Sequence, residues 1–158
     1  MVRVNAILRH PRFIKEIRRV EEIERGRVFC GHGIDHLMDV ARIAFILSRE
    51  SGGAEDKELV YAAALLHDVG RARQYEDDTP HEQESAAIAA EILPECGFDE
   101  HETALILDAI LAHRTTGGGG KPGFAGLMYK ADKASRRCYD CAASRECNWG
   151  IKNTALEY

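Results

Sequence analysis

Nothing in this chain alternates apolar and polar residues as a half-buried strand does between turn signals, which removes sheet-based architectures from consideration. Long apolar runs are missing too. The stretch Tyr61 to Leu66 is far too short to cross a bilayer, and the opening residues Met1-Val2-Arg3-Val4-Asn5 lack the apolar segment of a secretory signal. A cytoplasmic protein with no membrane partner is expected. Positive charge is in deficit, with 21 Lys and Arg against 26 Asp and Glu and a formal net charge of -5. A broad footprint for duplex nucleic acid is therefore not expected, and any anion must be bound locally. Five cysteines make an odd count, and three of them crowd one short segment. That pattern suits free thiols or metal ligands in a reducing compartment better than disulfides. Neither an internal repeat nor a domain linker interrupts the chain.

What is present is the mixture of an ordinary globular domain, 45% hydrophobic and 30% charged over 158 residues. One domain over residues 1–158 follows, ending in a cysteine-containing segment, 137–158, with a core that needs no cross-links. Apolar residues recur at helical spacing, so the fold class is all-α, a compact bundle of about six helices. The first, about Pro11 to Glu24, carries Phe13, Ile14, Ile17, Val20 and Ile23 on one stripe. The second runs from Gly33 to the Gly52-Gly53 turn. The third, Asp56 to Asp68, is apolar nearly all round and belongs at the centre. Arg71 to Thr79 is polar and reads as a loop. Helices then follow from Pro80 to Leu93, stopped by Pro94, from Asp99 to His113, and from Gly123 to Arg136. The run Gly117 to Gly120 is a mobile connector or a flap, and Lys121 after it does not complete a phosphate-binding loop.

The chemistry concentrates where the apolar helix ends. His67 and Asp68 stand where a buried helix would ordinarily close in Leu or Ala, and an unpaired carboxylate there costs several kcal/mol unless a cation or hydrogen bonds satisfy it. His36, early in the second helix, and Asp132, within the last, can complete a mixed nitrogen and oxygen site. Two imidazoles and two carboxylates leave room for water and suit Mn, Fe, Mg, Zn, Co or Ni better than a closed structural site does. Taken singly, His36 reads better as a surface histidine and His67 with Asp68 as a local pair; it is their combination that points to a metal.

The segments Gly33-Ile34-Asp35-His36-Leu37-Met38-Asp39-Val40-Ala41, Ala63-Ala64-Leu65-Leu66-His67-Asp68-Val69-Gly70-Arg71 and Lys130-Ala131-Asp132-Lys133 resemble the motifs of the HD-domain metal-dependent phosphohydrolases. The resemblance covers about Gly31 to Arg137 and implies a helical bundle with the metal between helices, held by His36, His67, Asp68 and Asp132. It also selects His36 over His32, which stands four positions earlier. His81 and His113 match variants of the family with a fuller histidine set, as ligands of a second ion bridged by Asp68 or as groups acting on the scissile phosphate. The resemblance implies hydrolysis of a phosphate ester or phosphoanhydride in a nucleotide or other small phosphorylated metabolite, with Asp68, His81 and His113 as catalytic groups. The segment from His113 to Gly117, with Ala131-Asp132, is also similar to bacterial HD hydrolases that split dinucleoside tetraphosphates.

Cations beside these positions could grip phosphate: Arg71, Arg114 and above all Lys133, although Arg and Lys also favour helix C-termini for electrostatic reasons alone. His10 and His101 lie among charged residues and are expected to be solvated. Cys138, Cys141 and Cys147 give a C-x2-C-x5-C spacing. With Cys30 or a histidine as fourth ligand this suits zinc or an iron–sulfur cluster, and the other reading is three reduced thiols. Two further functional readings stand beside the hydrolase: a regulatory or metal-sensing helical module, and a redox scaffold built on the cysteines. The N-terminal helix could pair with a second copy to form a homo-oligomer.

Overall fold

The computed structural model describes residues 1–114 and 123–147. The expectations for Gly117 to Gly120 and Lys121, and for the tail beyond Cys147, fall outside the described residues. Among those described, the chain folds into eight α-helices: α1 (Val2–Arg9), α2 (Pro11–Ile23), α3 (Ile34–Glu50), α4 (Lys57–Leu66), α5 (Arg71–Asp77), α6 (His81–Glu95), α7 (Glu100–Ala112) and α8 (Phe124–Ala134). A single 3-10 turn, Cys138–Asp140, follows.

α4 is the central helix. Leu59, Val60, Ala62, Ala63, Ala64, Leu65 and Leu66 are all buried, and α1, α3, α6, α7 and α8 pack around it. Its three consecutive alanines let neighbouring backbones approach closely, while the leucines fill the gaps between them. The ends are set by side chains. The Asp56 carboxylate accepts from the backbone N–H of Glu58 and Leu59 at 2.9 and 3.1 Å, and α7 opens with an Asp99/Glu102 capping box.

Three departures from the sequence reading have local causes. α1 has only Val4 and Ile7 buried, too brief an apolar stripe to stand out. It is held instead by Arg3, which pairs with Glu58 at 2.9 Å and Glu102 at 2.6 Å. Residues 71–77 form a helix rather than a loop. Its one buried residue is Ala72, and Arg73–Asp77 and Arg19–Glu76 ion pairs supply what apolar periodicity does not. Pro94 does not stop α6 but sits in its last turn, where a missing N–H costs a single hydrogen bond, and the Cys96 N–H closes the helix on Ile92 and Leu93.

Between α4 and α5 the chain turns sharply at Val69-Gly70. The Gly70 N–H donates to Ser85 Oγ at 2.9 Å in a buried contact. A Cβ there would run into the Ser85 backbone nitrogen and lie 2.8 Å from the Glu84 carbonyl carbon. This close approach of the α5 start to α6 places His67 and Asp68 opposite His81. Gly70→Ala should therefore destabilise the fold by about 1–3 kcal/mol in chemical denaturation, with an unchanged midpoint contradicting the packing described here.

Candidate metal centre

Four histidines and two carboxylates meet where α3, the α4–α5 junction, α6, α7 and α8 converge. Asp68 is at the middle, its side chain 3% exposed. One oxygen, Oδ2, lies 3.6 Å from His36 Nε2 and 3.4 Å from His67 Nε2. The other, Oδ1, lies 3.1 Å from His81 Nε2 and 3.6 Å from His113 Nε2. Four imidazoles thus present the same nitrogen to one carboxylate.

Each ring is fixed through its other nitrogen. His67 Nδ1–H donates to the Ala64 carbonyl at 2.7 Å, His113 Nδ1–H to that of Ile110 at 2.5 Å, and His81 Nδ1–H to Gln74 Oε1 at 2.8 Å. Ser135 Oγ donates to the Asp132 carbonyl at 2.7 Å and so accepts from His36 Nδ1–H at 3.3 Å. The network assigns these tautomers and leaves Nε2 of His36 and His67 as lone pairs aimed inward. Both nitrogens are buried and make no hydrogen bond, and Asp68 Oδ1 makes none either, being near His81 in distance but not in angle.

These donors form two groups, His36–His67–Asp68 and Asp68–His81–His113, in each of which the candidate ligand atoms lie within 4.8 Å of one another. Buried orphan lone pairs of this kind are what a divalent cation satisfies, and the mixed nitrogen and oxygen donor set fits one. Asp68, common to both groups, is placed to serve two ions. Asp132 stands at the edge: its Oδ1 is 3.5 Å from His36 Nε2 and 3.9 Å from His67 Nε2, while Oδ2 accepts from Lys133 Nζ at 2.5 Å. Arg136 Nη2 lies 3.4 Å from the Asp132 Oδ1.

The electrostatics follow from burial and charge. Desolvation would raise the Asp68 carboxyl, but His67, His113 and His36 hold it well below the usual carboxylate range. Desolvation likewise lowers His36, yet Asp132 and Asp68 outweigh it and bring its pKa up to about 9, so the two carboxylates favour a cation, whether proton or metal ion, beside its Nε2. The two outer imidazoles split. Burial pushes His81 down, with the Arg71 cation adding to the effect, whereas the Asp68 carboxylate 3.6 Å away raises His113 against its own burial.

A second layer lies behind Arg71 and was not read from the sequence. His32 precedes α3 rather than sharing a helical face with His36, and it is buried. Its Nδ1 meets Glu24 Oε1 at 2.5 Å and its Nε2 meets Arg71 Nη2 at 3.0 Å, while the Tyr75 hydroxyl donates to Glu24 Oε1 at 2.5 Å. Arg71 itself reaches inward, Nη1 lying 3.8 Å from Asp68 Oδ1 and 2.8 Å from His81 Nδ1. The signal available for this layer was Glu24, a carboxylate at the end of an apolar stripe.

Lys133 lies on Asp132 beside the centre, and Arg114 is on the rim, exposed and 3.6 Å from Glu82 Oε2. A cleft of about 610 Å³ reaches His36, and one of about 160 Å³ reaches His32 and Arg71. Cys138, Cys141 and Cys147 are half-buried free thiols, and among the described residues no three cysteine sulfurs converge as the histidine and aspartate donors do. His101 is exposed as expected, but His10 has a structural role, its Nδ1 accepting from the Arg12 N–H at the start of α2.

Glu24 provides a test of the second layer. Burial raises its carboxyl, but hydrogen bonds from His32 and Tyr75 hold it at about 2, against an ordinary value of 4.5. Its stabilising effect is therefore full above pH 4.5 and lost as pH falls towards 2. Glu24→Gln should cost about 1–3 kcal/mol at neutral pH, and the gap from wild type should narrow on acidification. A gap that is constant with pH in denaturant titrations would contradict the assignment.

The HD domain model matches residues 33–138, the span that holds α3 to α8 and six of the residues described above: His36, His67, Asp68, His81, His113 and Asp132. An uncharacterized protein of Clostridium beijerinckii is 43% identical over 160 residues, covering 100% of both chains. Ribonuclease Y of Enterococcus faecalis is 32% identical over 111 residues, which is 70% of this chain and 19% of that protein. The crystal structure of a predicted HD superfamily hydrolase from an uncultured Thermotogales bacterium superposes with a TM-score of 0.59 at 26% identity, over 78% of this chain and 68% of that one. No described helix is long and apolar enough to cross a membrane. Motif, bundle and buried donor set agree with the family model: the chain belongs to the HD domain family.

Proposed function

We propose that this HD-domain protein is a metal-dependent hydrolase of a phosphate ester or phosphoanhydride in a small phosphorylated substrate, nucleotides included. The observation that carries the reading is the Asp68 carboxylate ringed by four Nε2 atoms, two of them buried without a hydrogen bond. His36, His67, Asp68 and Asp132 would hold the ion, with His81 and His113 as ligands of a second or as groups acting on the phosphate. When bound, such an ion supplies Lewis acidity and nucleophilic water near neutral pH.

The chain's own groups divide the remaining work. His113, raised by Asp68 and with its Nδ1–H already committed to Ile110, is the imidazole placed to give an Nε2 proton to a leaving oxygen. His81, kept neutral by burial and Arg71, leaves an Nε2 lone pair able to accept one. Arg71, aimed into the centre by His32, and Lys133 at its edge offer cations to phosphoryl oxygens, and Arg114 can reach from the rim. A cleft of about 610 Å³ suits a ligand of metabolite size. Ribonuclease Y, by its name an RNA-cleaving protein, contributes support for phosphoester chemistry over the shared portion.

The test is a panel of phosphomonoesters, nucleotides, dinucleoside polyphosphates and short oligoribonucleotides, incubated with metal-stripped protein and added Mn, Mg, Co, Ni or Fe. Wild type should hydrolyse at least one class, and Asp68→Ala should fall to background. His113→Gln should lower kcat by about 10²–10⁴-fold. Wild-type inactivity across the whole panel would overturn the hydrolase in favour of the regulatory, metal-sensing module. Metal content by elemental analysis gives an independent reading, with His36→Ala and Asp68→Ala expected to lose bound manganese.

A further inference from the structure

Two irregular segments flank the centre with little apolar anchorage. Residues 24–33, between α2 and α3, bury no hydrophobic side chain, and Val28 and Phe29 are 70% and 43% exposed. Past Ala131 the one buried apolar residue among those described is Ala143. The chain there is a 3-10 turn, followed by turns in which Ser144 N–H donates to the Cys141 carbonyl and Cys147 N–H to that of Ala143. Apart from the Glu24–His32–Tyr75 group, these segments draw little order from core contacts.

Four cysteines lie on these two segments. Cys30, from the first, and Cys138 and Cys147, from the second, line the same cleft of about 160 Å³. Cys30 also lines the larger cleft together with Cys141. All four are half-buried free thiols, whereas the fifth, Cys96, is buried among core residues at the end of α6. The fold therefore adds to the C-x2-C-x5-C run a thiol from a distant stretch of chain, across a cleft between two segments that lie outside the α-helices.

We propose that Cys30, Cys138, Cys141 and Cys147 form a tetrathiolate zinc site that staples residues 24–33 to the segment after α8. Four thiols match the ligand number and softness of structural zinc. Each loses its proton to solvent on binding, leaving a centre of net negative charge, and Arg27, Arg71 and Arg136 line the cleft that would receive it. The sulfurs are drawn together by the ion, so that binding energy orders both segments. The staple ties the loop that carries His32 and leads into α3 and His36 to the stretch just after Asp132 and Ser135. It would brace the catalytic centre from outside, and it does not depend on what that centre hydrolyses.

The full chain, stripped and reloaded with cobalt(II), should show the intense near-ultraviolet charge-transfer band of thiolate–cobalt coordination, displaced by added zinc. Asp68→Ala should keep that band and a single tightly held zinc ion, while Cys138→Ser and Cys30→Ser should lose both. Zinc should also protect the thiols of wild type from a disulfide reagent, a measurement that needs no variant to fold. Absence of the band with the thiols equally reactive with and without zinc would overturn the site. Iron with acid-labile sulfide in anaerobically prepared protein would overturn the zinc assignment, and loss of all zinc in Asp68→Ala would place the ion in the histidine and aspartate centre instead.

Discussion

The constraint on which this structure rests is a charged carboxylate buried at the end of an apolar helix. Removing Asp68 from water costs several kcal/mol, and leaving it unpaired would be strongly destabilising. The fold meets that cost with imidazoles delivered from α3, the α4–α5 junction, α6 and α7, so that helix packing and ligand distance are the same quantity. The central helix must be lined with alanine and leucine to hold those helices close, and the turn after it must be glycine to let α6 approach. A core arranged in this way is also a site, and a change in one is felt in the other.

Around the carboxylate the structure spends its polar groups on orientation. Every Nε2 directed at Asp68 belongs to a ring whose Nδ1 is tied to a carbonyl, an amide oxygen or a hydroxyl. Such outer partners fix tautomer and direction, and commonly matter to metal affinity nearly as much as the ligands do. The Glu24–His32–Tyr75 group does the same for Arg71, holding a guanidinium against the centre that would otherwise have many rotamers to choose from. Both outer imidazoles stand beside one carboxylate oxygen, yet burial and Arg71 lower His81 while Asp68 raises His113, so their proton affinities are driven apart.

Much of this was legible before coordinates. The helical periods of α2, α3, α4, α6, α7 and α8, and the position of α4 at the centre, follow from apolar spacing. The convergence of His36, His67, Asp68, His81, His113 and Asp132 follows from motif and helix ends. What escaped has a common physical reason: it rests on long-range polar pairing rather than periodicity. α5 is a helix because ion pairs and Gly70 dock it, not because of an apolar stripe. His32 and Glu24 meet across a loop whose path no local pattern encodes. Arg71 is named from the sequence as a cation beside the site, but its path inward to Asp68 depends on Glu24 and His32, and His10, expected to be solvated, caps α2.

The central claim is that separate stretches of chain converge on a cation between His36, His67 and Asp68. Anomalous diffraction from crystals soaked in manganese, recorded on both sides of the metal absorption edge, tests it most directly. The account predicts a peak bounded by His36 Nε2, His67 Nε2 and Asp68 Oδ2, with Asp132 as the nearest further carboxylate. Manganese bound elsewhere, with those nitrogens hydrogen-bonded only to water or to one another, would contradict it.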